Sequence, residues 1–265
     1  MKKRISFRSA ITIVALFAAA IVFIVRTFKT IHPAPMRDFE RAITFHEQKC
    51  FEAAVIKIAN GEEIWLQSGK RIVIQGADSP KGKDVIPAIR ELERLVLGRN
   101  VTVCPCTSSP QDKHGRWRAQ VFISDKSVAE LLLEKCLVGL FYYAECNSNI
   151  ADALYLSYLK GWNSGLNRCR EKMTIQSKDA KNHIGATAVV EGTITSAKTT
   201  SSPFVFSMEG LKIVAFREDI KRLKSAGLTP EGWSAGTNLK IFGQISDYNG
   251  PEIILRSAVQ VLEIK

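Results

Sequence analysis

The sequence predicts a β-barrel protein with helices (α+β), in which two tandem five-stranded barrels of the OB type follow one N-terminal transmembrane helix. Three observations predict this architecture. Short apolar runs separated by turn residues occur twice, each time as three strands, a helix and two further strands. A charge-free run near the N-terminus is long enough for a bilayer. The 265 residues suffice for two domains, each with its own core.

The charge-free run comprises seventeen residues, Ser9 to Val25, between Arg8 and Arg26. As a helix it would be about 26 Å long, enough for a bilayer core when flanking side chains reach the interfaces. Four basic residues and no acidic residue precede it, which predicts a single-pass signal-anchor with a cytoplasmic N-terminus. A cleaved signal peptide is the alternative, because the run contains three alanines at 18–20.

Both interpretations place the globular domains outside the cytoplasm, on the periplasmic side of an inner membrane. The charge distribution agrees with a membrane-flanking segment followed by exported domains. Residues 1–50 carry nine Lys/Arg against three Asp/Glu, which is more than half of the net charge of +11. The globular part is only mildly basic, and its ordinary composition excludes fibrous and disordered classes. The predicted segments are a cytoplasmic N-terminus (1–8), the anchor (9–26), a stalk (27–48), the first barrel (49–171), a linker (172–184) and the second barrel (185–265).

Six cysteines lie before residue 170 and none follows. In an exported domain an even number of cysteines favours disulfides. Zinc is the alternative, but there is no Cys-x-x-Cys and the four histidines are scattered. Two of the cysteines are two residues apart on one strand face, so we expect each to pair with a different element. The disulfide candidates are Cys50, Cys104, Cys106, Cys136, Cys146 and Cys169.

The first barrel begins with a three-stranded meander, because two glycine-containing turns separate three short apolar runs. An amphipathic helix follows and stops at Gly98. Two strands then enclose a polar loop at 112–116, and two helices follow, the first capped by Ser127. The predicted elements are strands 53–58, 64–66, 71–74, 101–104 and 118–123, and helices 86–97, 127–135 and 150–162.

The second barrel repeats this order after a polar segment, without obvious repetition of sequence. Three apolar runs again precede a short charged helix, and two more runs joined by a turn complete the domain. The predicted elements are strands 188–195, 204–208, 211–216, 239–245 and 252–255, and a helix near 219–226.

Two loop motifs carry a family resemblance, Asp78-x-Pro80 and Asp112-x-x-Gly115-Arg116. Together with the order of elements they make residues 52–169 resemble the staphylococcal-nuclease-like (thermonuclease) family. In that family two aspartates bind calcium, a glutamate positions the attacking water, and two arginines hold the phosphoryl oxygens. The resemblance therefore implies metal-assisted hydrolysis of DNA or RNA phosphodiesters.

Carried over residue by residue, the resemblance implies that Asp78 is a calcium ligand and that Arg116 is the second catalytic arginine. Asp112 and Tyr142 fall at positions of the nucleotide pocket. Plainer interpretations also apply. Asp78 can end a strand with an Asx-turn, and Arg116 can simply pair with Asp112.

The chain departs from the family at the remaining catalytic positions. Glu62 is the weak equivalent of the first calcium-binding aspartate, with Glu63 beside it. Val73 replaces the first arginine, although Arg71 lies on the same strand face and can substitute for it. Lys81 replaces the glutamate and so places a positive charge beside the metal position.

These losses predict a catalytically impaired protein, because one charged transition-state contact alone can account for orders of magnitude in rate. We expect a membrane-anchored module that binds nucleic acid, single-stranded nucleic acid in particular, or an envelope protein partner. The alternative is a membrane-tethered nuclease, and only this alternative requires Ca²⁺ as a cofactor.

Residues 186–265 resemble nucleic-acid-binding OB-fold domains, on the segments 240–245 and 248–253. Such barrels stack the bases of single strands on exposed aromatic side chains beside a basic groove. Phe204 and Phe206 share one strand face, however, so this pair can belong to the core instead. The binding candidates are Tyr248, Lys240, Phe204 and Lys212.

Overall fold

The computed structural model describes residues 50–108, 110–141, 146, 150–169 and 172–265. These residues belong to one compact unit, Glu47–Lys265. The predicted anchor and stalk, and Tyr142, lie outside the described residues. Within the described part of the chain, no helix is long and apolar enough to cross a membrane.

The first domain is a closed five-stranded barrel, as the sequence predicts. The five strands of the barrel are β1 Phe51–Ile58, β2 Glu63–Leu66, β3 Arg71–Ile74, β5 Asn100–Pro105 and β6 Trp117–Ile123. Three short strands of this domain lie outside the ring: β4 Gly76–Asp78, β7 Lys126–Ser127 and β8 Gly139–Phe141. The barrel order is β3-β2-β1-β5-β6, and a parallel pairing of β3 with β6 closes the ring. The short β7 pairs antiparallel with the end of β6, whereas β4 and β8 form a separate two-stranded sheet.

Three helices accompany this barrel: α1 Val85–Val96, α2 Val128–Glu134 and α3 Ala151–Ser164. The Ser127 hydroxyl accepts a hydrogen bond from the Glu130 N–H, which confirms the predicted start of α2. Helices α2 and α3 pack so closely that a Cβ at Gly161 would overlap the carbonyl oxygen of Leu133. Glycine at this position therefore sets the distance between the two helices.

All six cysteines form disulfides, which confirms that prediction. Cys104 and Cys106 pair with different segments of the chain, as their spacing predicts, and all three bonds lie in the first domain. The pairs are Cys50–Cys104, Cys106–Cys146 and Cys136–Cys169.

The second domain contains one α-helix, α4 Arg217–Ser225, and eight strands. The strands are β9 Thr174–Gln176, β10 Thr187–Lys198, β11 Phe204–Met208, β12 Leu211–Ala215, β13 Asn238–Gln244, β14 Ser246–Asp247, β15 Pro251–Ile254 and β16 Val261–Ile264. Their order is β14-β15-β12-β11-β10-β13-β16, with β9 added to β10. The sheet curls but does not close into the predicted second barrel, because β13 pairs with β16 instead of β15.

The segment expected to be a linker is folded. It contains β9, which pairs with β10, and a 3₁₀ helix at Ser177–His183. Ser177 and Ala180 are buried, and a Cβ at Gly192 would overlap the Ser177 hydroxyl. The sequence carries no hydrophobic signal for this helix because only these two small residues of it are buried.

The two domains share a hydrophobic contact. Val189 and Phe242 of the second domain belong to the core cluster of the first. The Phe242 ring lies 5.6 Å from the ring of Tyr158 and 5.5 Å from that of Trp162, both on α3. Aromatic rings at these distances pack favourably, so the two domains are held together by more than the covalent chain.

Candidate functional site

The centre of the candidate site is Glu63, on the outer face of the first barrel. Ile64 and Leu66 are buried inside the barrel, so strand alternation places Glu63 and Trp65 on the opposite face. In the β2–β3 register, Glu63 lies opposite Val73 and Trp65 lies opposite Arg71. Val73 therefore lies beside the Glu63 carboxylate, and the nearest cation on β3, Arg71, belongs to the next residue pair on the same face, two residues further along.

Two arginines converge on the Glu63 carboxylate. Arg71 Nε donates to Oε1 at 2.8 Å, and Arg116 Nη1 donates to Oε2 at 3.0 Å. The indole Nε1 of Trp65 also donates to Oε1, at 3.1 Å. The Glu63 side chain is only 4% exposed, against 40% for Arg71 and 22% for Arg116. Burial acts to raise the pKa of Glu63, but these hydrogen bonds outweigh it and hold the pKa below its ordinary value.

Arg116 is positioned by its own loop. Asp112 Oδ2 accepts from Arg116 Nε at 2.7 Å, and Asp112 Oδ1 accepts from the backbone N–H groups of His114 and Arg116. Gly115 provides the positive φ, 71°, that the turn requires. The pairing of Arg116 with Asp112 that the sequence allowed is therefore present. Burial acts to raise the pKa of Asp112, and the hydrogen bonds lower it overall.

Glu62 points to a different neighbour. Its Oε2 accepts from the Ser79 N–H at 2.7 Å, while the Ser79 hydroxyl accepts from the Gly61 N–H at 3.0 Å. Burial, followed by the negative charges of Asp78 and Glu63, raises the pKa of Glu62 despite the hydrogen bond from Ser79. Glu62 and Asp78 thus lie close enough to repel each other.

These carboxylates do not fit a calcium site. Calcium takes about six to eight oxygen ligands. Both oxygens of Glu63 and of Asp112 already accept hydrogen bonds, as does one oxygen of Glu62. In residues 50–108, 110–141, 146, 150–169 and 172–265, no group of three or more His, Cys, Asp or Glu side chains could hold a metal ion.

Sequence reasoning brought most of these residues together but missed the central one. Arg71, Arg116 and Asp112 form one cluster, and Glu62 with Asp78 lies next to it. The motif comparison assigned Glu62 to the site, whereas Glu63 binds both arginines. Strand alternation could have identified Glu63, since it shares a face with Trp65 and Trp65 is opposite Arg71.

Of the candidates in the second domain, Lys212 and Tyr248 are in contact, whereas Phe204 and Lys240 have other neighbours. Phe204 is buried and packs in the core beside Phe206, so it presents no exposed ring on which a base could stack. Lys240 pairs across strands with Glu191 at 2.6 Å. Lys212 Nζ donates to the carbonyl oxygens of Tyr248 and Asn249, at 3.3 and 2.9 Å. Tyr248 is 72% exposed and is the only aromatic candidate of this set available to a ligand.

Comparison with known proteins supplies no family for this chain. No protein-family model matches it, and no curated protein matches it. The resemblance to the thermonuclease family stays a prediction from the motifs.

Proposed function

We propose that this protein is a non-catalytic binding module with a thermonuclease-like barrel, which binds nucleic acid or a partner protein without hydrolysing phosphodiesters. The observation that carries the proposal is the convergence of Arg71 and Arg116 on the buried carboxylate of Glu63. A phosphate group approaching this face would find both guanidinium groups already bonded to an anion. It would also be repelled by the charge of that anion.

Displacing Glu63 is unfavourable. Breaking a buried ion pair typically costs about 3–5 kcal/mol, and the cost here is lower because the Arg71 and Arg116 side chains are 40% and 22% exposed. Val73 supplies no replacement for a catalytic arginine, and Lys81 supplies no general base. Hydrolysis would therefore proceed without the cations, base and metal ligands that stabilise its transition state.

We place the module at the cell envelope. Its three disulfides support an oxidising, extracytoplasmic compartment. The charge-free run at 9–25 supports attachment to the inner membrane as a single-pass anchor with a cytoplasmic N-terminus. The two domains would then face the periplasm.

The alternative is a membrane-tethered, calcium-dependent nuclease. One observation favours it: Arg116, Asp112 and Arg71 are clustered, and Glu62 and Asp78 are neighbours of this cluster. A ligand-induced rearrangement of Glu63 would be needed to release the guanidinium groups.

The test is a binding measurement that also reports integrity of the ligand. The full chain in mild detergent is titrated with end-labelled single- and double-stranded DNA and RNA over a series of salt concentrations, and each sample is then run on a denaturing gel. We expect salt-sensitive binding with intact ligand. Shortened ligand overturns the proposal. Absence of binding at low salt excludes the nucleic-acid ligand and leaves a protein partner, which cross-linking in cells would identify.

A further inference from the structure

We infer that a groove on the second domain binds the phosphate backbone of a single-stranded nucleic acid. The groove has a volume of about 390 Å³ and lies between the β10–β11 loop and one face of α4. This inference names a ligand for the proposed function and rests on it. The groove is separate from the Glu63 cluster, which belongs to the first barrel.

One wall of the groove consists of hydroxyl groups. The residues Thr199, Thr200, Ser201 and Ser202 follow one another in the loop and all line the groove. Among the described residues, none of these four hydroxyl groups has a hydrogen-bond partner. Neutral donors without partners, side by side along an open groove, are suited to bind the oxygens of a phosphodiester.

The charged side chains that line the groove are three cations and one carboxylate, Glu231. Arg217, Lys221 and Lys224 lie four and then three residues apart, on one face of α4, and all line the groove. Within the described ranges Arg217 is exposed and has no ion-pair partner. Lys221 pairs with Glu218 at 3.0 Å, and Lys224 pairs with Glu231. Such solvent-exposed pairs contribute little, so a phosphate can replace either carboxylate at small cost.

An exposed aromatic side chain favours a single strand over other phosphate-bearing ligands. Phe216 is not part of the groove lining, but it directly precedes Arg217 at the start of α4 and is 45% exposed. Proteins that bind single strands combine cations that follow the backbone with aromatic rings on which bases stack. A lipid headgroup offers the same phosphate chemistry but no base to stack. Strands β11 and β12, unlike this end of α4, carry no exposed aromatic side chain among the described residues.

The experiment measures binding of a dye-labelled oligothymidine to the full chain by fluorescence anisotropy over a series of salt concentrations. The test variants are the double substitution Arg217→Gln with Lys221→Gln, and Phe216→Ala. Lys178→Gln is the matched control, since Lys178 is an exposed cation of the same domain outside the groove. Circular dichroism verifies that each variant is folded, which their exposed positions favour.

We expect the double variant to reduce the salt slope of the binding constant by about 1.4, the effect of about two lost phosphate contacts on a single strand. Phe216→Ala should weaken binding about tenfold. A double variant with the slope of Lys178→Gln overturns the groove as the site, while binding of intact oligonucleotide still supports the proposed function. A shortened oligonucleotide on the gel contradicts the proposed function itself. Equal affinity for anionic vesicles, unchanged by Phe216→Ala, overturns the single strand in favour of lipid phosphate.

Discussion

At the scale of single residues, a carboxylate can offer a guanidinium group the same kind of charge-assisted hydrogen bond as a phosphate. Glu63 presents one oxygen to Arg71 and the other to Arg116. It therefore neutralises, from within the protein, the two guanidinium groups that a ligand phosphate would use, each through one N–H donor. The adjacent Glu62 cannot do the same, because its carboxylate accepts from Ser79.

Glu63→Ala tests this assignment. Removing the carboxylate leaves two guanidinium groups without their shared partner, so we expect a loss of about 2–4 kcal/mol in the free energy of unfolding. We also expect the variant, unlike the native protein, to be stabilised against thermal unfolding by inorganic phosphate. Glu52→Ala is the control, since Glu52 is an exposed glutamate on β1. A variant that phosphate stabilises no more than this control would contradict the role of Glu63.

Glu62→Gln tests the electrostatics of the neighbouring carboxylate. Burial and the charges of Asp78 and Glu63 raise the pKa of Glu62, so the folded state binds its proton more tightly than the unfolded state. The native protein therefore loses stability as the pH rises from about 4.3 through this raised pKa. Glutamine removes the charge and can still accept from Ser79. We expect a higher free energy of unfolding than native at neutral pH.

The pH profile of unfolding provides the decisive comparison for this substitution. The advantage of Glu62→Gln should shrink as the pH falls towards the ordinary glutamate pKa, because Glu62 is then protonated in both states. Glu63 and Asp112 have the opposite sign. Their lowered pKa values predict stability that is present at neutral pH and lost in acid, below about pH 4. For Glu62→Gln, a gain in the free energy of unfolding that is independent of pH would contradict the raised pKa of Glu62.

At the scale of elements, periodicity predicted the five main strands of each domain and the four α-helices. The alternation of apolar residues specified the barrel strands, and Ser127 marked the start of α2. The short strands β4, β7, β8, β9 and β14 were not predicted, and two further features escaped prediction for physical reasons. The 3₁₀ helix at Ser177–His183 buries only two small residues, and so carries no apolar signal. The strand β16, Val261–Ile264, pairs with the edge of β13 that closure of the barrel would need, and its two middle residues are exposed, so it shows no alternating pattern.

Gly161→Ala tests the packing of α2 on α3. Alanine favours a helix over glycine by about 1 kcal/mol, but here its Cβ would overlap the carbonyl oxygen of Leu133. Backbone cannot yield as a flexible side chain can, so we expect a net loss of about 1–3 kcal/mol in the free energy of unfolding. Gly232→Ala should be close to neutral, since no atom lies within 4 Å of the added Cβ. A stabilised Gly161→Ala would mean that the helices are further apart.

At the scale of the whole molecule, the two domains are joined through polar and apolar contacts. Tyr158 Oη and Thr187 Oγ1 are 3.2 Å apart, and Ser257 Oγ donates to Asp152 Oδ1 at 2.5 Å. The Phe242 ring completes the interface by packing on α3. We therefore expect the two domains to unfold in one transition.

Phe242→Ala tests this coupling. Removing a fully buried phenyl group from the interface should cost about 3–5 kcal/mol. In denaturant titrations followed by circular dichroism and by tryptophan fluorescence, the native protein should give coincident transitions. The exposed Phe216→Ala should change little. Two separated transitions in the native protein would show that the domains are independent, and would remove the structural role of the interface.

The central claim, a thermonuclease-like site closed by its own glutamate, is tested most directly by one measurement. The full chain is incubated with single- and double-stranded DNA and RNA, with calcium or with chelator, beside an active control nuclease. We expect no cleavage above background under any of these conditions, because Glu63 occupies both arginines and the carboxylates do not fit calcium. Calcium-dependent cleavage that Arg116→Ala abolishes would contradict the claim and establish the nuclease.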